Sequence, residues 1–212
     1  MFRQILFTQW RWGAGAVVLL GSLGLALPIA TVNHLSSNPG LILERVLTWG
    51  YVFPVLAVLT GLLLGMSAWA ADHRGHHVYA LSLPVPRWYY ALLRYAAGAL
   101  LVVVVGAAVW IGALFATSGL DLPTGLHTYA GLIGLRFLLG SLLSYSTVFA
   151  MSSGTNRTAG WVLAGLGGLV LAHVIVQAVN NDIQVLELFG QLLVSAGGPL
   201  SLFTGPWLLV AV

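Results

Sequence analysis

Four side chains of metal-binding type lie close together in this sequence, at Asp72, His73, His76 and His77. Imidazole nitrogens and carboxylate oxygens are common ligands of zinc and related ions. Adjacent His76 and His77 cannot both face one ion from a regular helix, because successive side chains leave it in different directions. We therefore expect these histidines to contact water or lipid headgroups, and we predict no metal site.

A serine nucleophile is the second chemistry that the residue types allow. Ser152 and Ser153 precede Gly154 in a turn of small residues, and His173 is the nearest candidate base. His173 lies about 22 Å along a helix axis from Thr158, which is too far for a hydrogen-bonded pair. We therefore predict that the chain is not an enzyme.

The chain contains neither Lys nor Cys, and all eight of its basic residues are Arg. A Walker A loop holds nucleotide phosphates with a Lys, so we expect no ATP or other cofactor bound by this chain. Disulfides and thiolate metal sites are excluded by the missing Cys. A net charge of +3 rests on few groups, and we interpret it as an orientation signal rather than a sign of nucleic-acid binding.

The elements that carry these residues follow from composition. Apolar residues make up 59% of the 212 positions and charged residues only 6%, against roughly a quarter charged in soluble domains. We predict an all-α integral membrane protein with a single transmembrane domain over 1–212. A bilayer-spanning helix needs about 20 apolar residues. Six runs are candidates: 13–32, 46–71, 95–117, 129–151, 158–179 and 199–212. The last contains Pro206 and stops without a polar flank, so we expect it to be incomplete.

Small residues recur at four-residue spacing in two of these runs. Gly61 and Gly65 lie in the second run, and Gly160, Ala164 and Gly168 lie in the fifth. Such spacing lets two helix backbones approach closely. It predicts tight packing, either within a bundle or across a dimer contact.

The first twelve residues mix arginines with large apolar side chains. Arg3, Phe7, Trp10 and Arg11 are typical of a helix that lies in the membrane interface and contacts membrane lipids. The alternative is a simple Arg and Trp anchor for the first span.

Arginines are distributed unequally between the two sides of the predicted bundle. With a cytoplasmic N-terminus, the inner side holds Arg3, Arg11, Arg74, Arg87, Arg94 and Arg157. One acid, Asp72, shares that side, whereas the outer side holds Arg45 and the other four acids. The positive-inside rule therefore predicts a cytoplasmic N-terminus.

Three polar residues lie inside the predicted spans, namely Arg136, His173 and Gln177. Ionisable groups within a membrane are costly and often functional, so we expect these three to line a translocation path. For Arg136, an equally good alternative is that its side chain extends outward to the interface.

The loop after the second run is the most polar stretch. Asp72 is a good N-cap residue, so we predict a short helix that starts there and ends before Pro84. Pro86 suits the first turn of the next helix. Arg87 and Trp88 then fall where headgroup anchors belong.

This loop resembles a stretch of the membrane subunits of ATP-binding-cassette (ABC) type-2 permeases. The resemblance is strongest at Leu81-Ser82-Leu83-Pro84-Val85-Pro86-Arg87, within Asp72 to Arg94. In that family this cytoplasmic stretch forms a coupling helix that docks on the ATPase subunit. The resemblance assigns partner coupling to Asp72, Arg74, Gly75, His76, Leu83, Pro84, Pro86 and Arg87. It also agrees with an N-terminal interfacial helix and about six spans.

The resemblance implies a function for the whole chain. We expect a permease subunit of an ABC exporter in a bacterial inner membrane, forming half of a translocation path. The other half would come from a second copy or a related permease, and ATP and Mg would bind a separate ATPase subunit. The alternatives are a non-transporting scaffold subunit of a larger membrane complex and a membrane subunit like the haem exporter of cytochrome c maturation.

Overall fold

The structure is a computed structural model, and helices dominate the residues that it describes. These residues are 1–36, 50–74, 86–118, 127–153, 156–179, 185–195, 198–203, 207 and 210–211. The chain forms two compact units. Met1–Ser152 and Pro206–Val212 make up the first, and Ser153–Gly205 makes up the second.

Four long helices account for most of the first unit. They are α1 (Phe2–Ser36), α2 (Val52–Arg74), α3 (Arg87–Ser118) and α4 (Ala130–Ser153). Each is long and apolar enough to cross a membrane. A helix satisfies its backbone hydrogen bonds internally, which is what an apolar segment in lipid requires. The prediction of an all-α protein with membrane-spanning helices is confirmed to this extent.

The four helices alternate in direction. Near the start of α1 and α3, the Gln9 side chain donates a hydrogen bond to the Arg94 carbonyl, so these two helices run the same way. Asp72, close to the end of α2, pairs with Arg94, so α2 runs against both. Tyr145, late in α4, donates to the carbonyl of Tyr95, early in α3. One end of the unit therefore holds Phe2, Arg74, Arg87 and Ser152, and we call it the N-terminal end.

Glycines set the distance between α2 and α4. A methyl group added at Gly61 would lie 2.7 Å from the carbonyl oxygen of Ser141, and one at Gly65 would lie 2.9 Å from the Val148 side chain. The close packing predicted from their spacing is confirmed, and it occurs within the bundle. No described atom lies within 4 Å of a methyl group added at Gly168.

Among the described residues of the first unit, the remaining secondary structure is a short strand pair at the opposite end. β1 (His127–Thr128) pairs antiparallel with β2 (Val210–Ala211), with His127 opposite Ala211. The prediction of a spanning helix over 199–212 is wrong for the described residues, which form a 3₁₀ helix (Pro199–Phe203) and then β2. Pro206 disfavours a continuous helix here because it has no N–H to donate.

Two further boundaries differ from those predicted. The stretch 1–12 is not a separate interfacial helix, because α1 runs without a break from Phe2 to Ser36. The second helix also continues through Asp72 to Arg74, so Asp72 lies in the last turn of α2 and does not cap a new helix. The rest of the predicted coupling helix falls on residues 75–85, outside the described part of the chain.

The second unit begins with α5 (Asn156–Val179), which contains the predicted fifth run 158–179. A shorter helix, α6 (Val185–Val194), packs against α5 and against the 3₁₀ helix Pro199–Phe203. The six predicted runs do not include the residues of α6. Glu187 and Gln191 are one helical turn apart in an otherwise apolar segment.

Candidate functional site

A buried ion pair joins α2 to α3 at the N-terminal end. Arg94 Nη2 lies 3.0 Å from Asp72 Oδ1, and each side chain is only 4% exposed. Within the part of the chain that the structure describes, it is the one ion pair. Removing one partner of such a pair leaves an uncompensated buried charge, which costs about 3–5 kcal/mol.

Each of the three guanidinium nitrogens of Arg94 donates a hydrogen bond. Arg94 Nε donates to the Tyr90 hydroxyl at 3.0 Å, and Arg94 Nη1 donates to the carbonyl of Ala68. The Tyr90 hydroxyl in turn donates to Asp72 Oδ2 at 3.2 Å. Tyr90 and Arg94 are one helical turn apart, which places both on the same face of α3. A closed network of this kind holds the end of α2 and the start of α3 in a fixed geometry.

The N-terminal part of α1 joins the same network through Gln9. Its side-chain nitrogen donates to the Arg94 carbonyl at 3.0 Å, and the residue is 2% exposed. Its Oε1 atom has no hydrogen-bond partner among the described residues. A cavity of about 270 Å³ lies beside the network, lined in part by Gln4, Thr8, Asp72 and Arg94. We call Gln9, Asp72, Tyr90 and Arg94 the Asp72–Arg94 cluster.

Aromatic rings extend the cluster to α4. The Arg94 guanidinium lies 5.2 Å from the centre of the Trp69 ring, within the range of a cation–π contact. Trp69 and Phe149 have ring centres 5.3 Å apart, and Tyr95 and Phe149 are 5.4 Å apart. All four helices of the first unit are therefore connected at the N-terminal end.

The structure describes only some of the predicted coupling residues. Asp72 is committed to the internal pair with Arg94, so its carboxylate does not face outward. Pro86 directly precedes α3, and its carbonyl accepts hydrogen bonds from the backbone N–H groups of Tyr89 and Tyr90. Arg87 is the first residue of α3 and is exposed. Arg74 ends α2, but its side chain is outside the description, as are Gly75, His76, Leu83 and Pro84.

The predicted interface residues all lie at the N-terminal end and are exposed. They are Arg3, Phe7, Trp10 and Arg11 on α1 and Trp88 on α3. Phe7 is 68% exposed and Trp88 is 70% exposed, although both are large and apolar. This placement agrees with contact to lipid or to a partner at that end.

The residues predicted for a translocation path are divided between the two units. Arg136 lies on α4 in the first unit, with its guanidinium 4.7 Å from the centre of the Trp207 ring. His173 lies on α5 in the second unit, and its Nδ1 has no hydrogen-bond partner among the described residues. The Gln177 side chain is outside the description.

Gln9, Tyr90 and Arg94 are not among the site residues predicted from the sequence. Arg94 contributes to that prediction only as one of the inner arginines, whereas the structure buries its charge. A signal was available, because Asp72 and Arg94 are opposite charges next to two successive apolar runs. Such charges are expensive in a membrane unless they are paired.

Comparison of this chain with family models, with curated proteins and with solved structures finds no match. The Asp72–Arg94 cluster itself contains no pair of groups arranged for proton transfer to a substrate, because its carboxylate and guanidinium satisfy each other. What it provides is a rigid connection between three helices.

Proposed function

We propose that this chain is the permease subunit of an ABC transporter, working as an exporter in a bacterial inner membrane. It would form half of a translocation path together with a second copy or a related permease. A separate ATPase subunit, with ATP and Mg, would dock on the segment 75–85. The observation that carries the proposal is the buried Asp72–Arg94 pair, which joins the two helices on either side of that segment.

The coupling between ATPase and bundle that we propose is mechanical. A force applied to the segment 75–85 reaches both the end of α2 and the start of α3. Because Asp72 and Arg94 hold these helix ends together, the two helices would move as one body. The hydrogen bond from Gln9 connects α1 to this body, and the contact between the Trp69 and Phe149 rings connects α4 to it. Nucleotide binding at the ATPase would then shift the whole bundle between two orientations, as a population shift.

The orientation that we propose places the N-terminal end in the cytoplasm. Arg3, Arg11 and Arg87 are exposed there, and the positive-inside rule counts arginines of this kind. Arg94 no longer contributes, because it is buried against Asp72. The remaining bias still favours a cytoplasmic N-terminus, and it brings the segment 75–85 to the side where ATP is available.

We further propose five membrane crossings within this sequence instead of six. The fifth is α5, whose 24 residues span about 36 Å. After α4 ends at the N-terminal end, the chain must return to the opposite end, because β2 pairs there with β1. An odd number of crossings satisfies this requirement, and six crossings would not.

Association with the ATPase tests the proposal. Pro84→Ala should let a helix run on through the docking segment, and Arg87→Glu should reverse an exposed charge beside it. We expect both variants to keep wild-type expression and to lose most of the ATPase in pull-downs of the full chain. Arg157→Glu, in the first turn of α5, is the matched control and should retain it. Wild-type association by both Pro84→Ala and Arg87→Glu would remove the support for a transporter and favour a scaffold subunit.

A further inference from the structure

An apolar groove of about 940 Å³ runs between the start of α1 and the middle of α3. One wall is built from α1 residues 3–10, including Arg3, Phe7 and Trp10, and the other from Leu100, Leu101, Val103 and Val104 of α3. Both walls belong to the first unit. The groove is separate from the Asp72–Arg94 cluster, none of whose residues line it.

The groove extends from a charged end into an apolar one. Arg3 stands at its mouth, close to the helix start, where the interface residues lie. Val104 follows Arg94 by ten residues, which corresponds to about 15 Å along the axis of α3. Its deep wall is purely aliphatic. A ligand that fills this space must carry a polar, anionic head and a long apolar tail.

Two arginines supply the charge complementarity. Arg3 lines the groove one helical turn before Phe7, and Arg11 follows Phe7 by one turn and lines the adjoining cavity that Phe7 also borders. Within the described residues, neither guanidinium has a hydrogen-bond or ion-pair partner. Arginine binds phosphate oxygens with two parallel hydrogen bonds, which makes a phosphodiester a well-matched partner.

We propose that this groove is a selective binding site for one anionic phospholipid, with its phosphate between Arg3 and Arg11 and one acyl chain along Val103 and Val104. This goes beyond an interfacial anchor, which any lipid would satisfy. The proposal does not depend on transport, since it concerns the resting chain in a bilayer. It makes the lipid part of the contact between α1 and α3.

Trp10 lines the groove and provides the readout. The full chain is reconstituted in phosphatidylcholine vesicles that contain increasing fractions of phosphatidylglycerol brominated on its acyl chains. Bromine quenches tryptophan emission on contact, and subtracting the signal of Trp10→Phe isolates Trp10 from the other tryptophans. A second series of vesicles contains brominated phosphatidylcholine instead. We expect brominated phosphatidylglycerol to quench Trp10 at a severalfold lower mole fraction than brominated phosphatidylcholine does.

Variants locate the effect. Arg3→Gln and Arg11→Gln should each weaken the preference for the anionic lipid about fivefold, the usual effect of one basic residue at an anionic surface. Arg157→Gln, in the first turn of α5 and not among the groove residues, should leave it unchanged. Val104→Phe should fill the deep end and reduce quenching by both lipids. Val18→Phe, which changes an exposed valine of α1 away from the groove, should not.

Three results would overturn the proposal. Equal quenching of Trp10 by the two brominated lipids would mean that only unselective surrounding lipid is present. A change in Trp10 emission on adding inorganic phosphate to pure phosphatidylcholine vesicles would indicate a free-phosphate site. A preference that survives the double variant Arg3→Gln, Arg11→Gln would likewise place the selectivity elsewhere.

Discussion

Arg94 makes contacts with four different kinds of group, and their combination explains why a charge can be buried here. Its guanidinium pairs with the Asp72 carboxylate, donates hydrogen bonds to the Tyr90 hydroxyl and the Ala68 carbonyl, and lies over the Trp69 ring. The charge is neutralised locally and every nitrogen is hydrogen-bonded. Such a pair contributes less to stability than to geometry, because desolvation of both ions offsets their attraction.

This balance predicts an asymmetric response to mutation. Asp72→Asn leaves the Arg94 charge buried without a counter-charge, so we expect the free energy of unfolding to fall by about 3–5 kcal/mol. Adding Arg94→Gln to Asp72→Asn removes the remaining charge and should restore part of that loss. The measurement is equilibrium unfolding in mild detergent, followed by circular dichroism.

Arg87→Gln is the matched control for these variants, because Arg87 is exposed on the same helix; it should change the free energy of unfolding by no more than about 0.5 kcal/mol. If the double variant is less stable than either single variant, then the two side chains do not act as a pair. That result would contradict the connection of α2 to α3 through Asp72 and Arg94.

At the scale of elements, glycine positions decide how closely α2 approaches α4. The backbone of Tyr145 and the carbonyl of Ser141 lie directly against Gly61, and these atoms cannot move without shifting α4. A flexible side-chain end would yield more easily. The contact at Gly61 is therefore the least tolerant of added volume in this helix pair.

Gly61→Ala should separate α2 from α4 and destabilise the bundle by about 1–3 kcal/mol, the usual effect of overpacking. Gly15→Ala is the control. It lies in α1 with no described atom within 4 Å of the added methyl group, so it should stabilise slightly through its better helix propensity. Thermal unfolding midpoints of the two variants in the same detergent give the comparison. A Gly61→Ala chain as stable as Gly15→Ala would mean that the helices are not in contact there.

Local rules predicted the helices well and failed where tertiary partners decide. The four long helices follow from apolar length alone, which is why their centres were predictable. Asp72 has the chemistry of an N-cap, worth about 1 kcal/mol, but pairing with a buried Arg94 outweighs this preference. No local pattern in the sequence specifies that partner. The cluster could be suspected from its opposite charges, but the part played by Gln9 could not.

The segment 199–212 shows the same limit at the other end of the unit. Its composition is that of a membrane span, but its 14 residues would reach only about 21 Å as a helix, less than the hydrocarbon thickness of about 30 Å. Pairing of β2 with β1 satisfies its backbone at Val210 and Ala211 instead. Buried Trp207, with Arg136 over its ring, fixes this segment to the start of α4.

For the whole molecule, the position of β2 leads to a test of topology. The N-terminal end holds the starts of α1 and α3, and β1 lies at the opposite end together with Ala211. Single cysteines can be placed by His76→Cys, Thr124→Cys and Ala211→Cys in a chain that has no native Cys. With a cytoplasmic N-terminus and five crossings, an impermeant thiol reagent on intact cells should label positions 124 and 211 and spare 76. Labelling of all three after permeabilisation is the control for reactivity. Labelling of position 124 without position 211 would indicate a sixth crossing. Labelling of position 76 alone would indicate the opposite orientation, in which the docking segment lies where no ATPase could reach it.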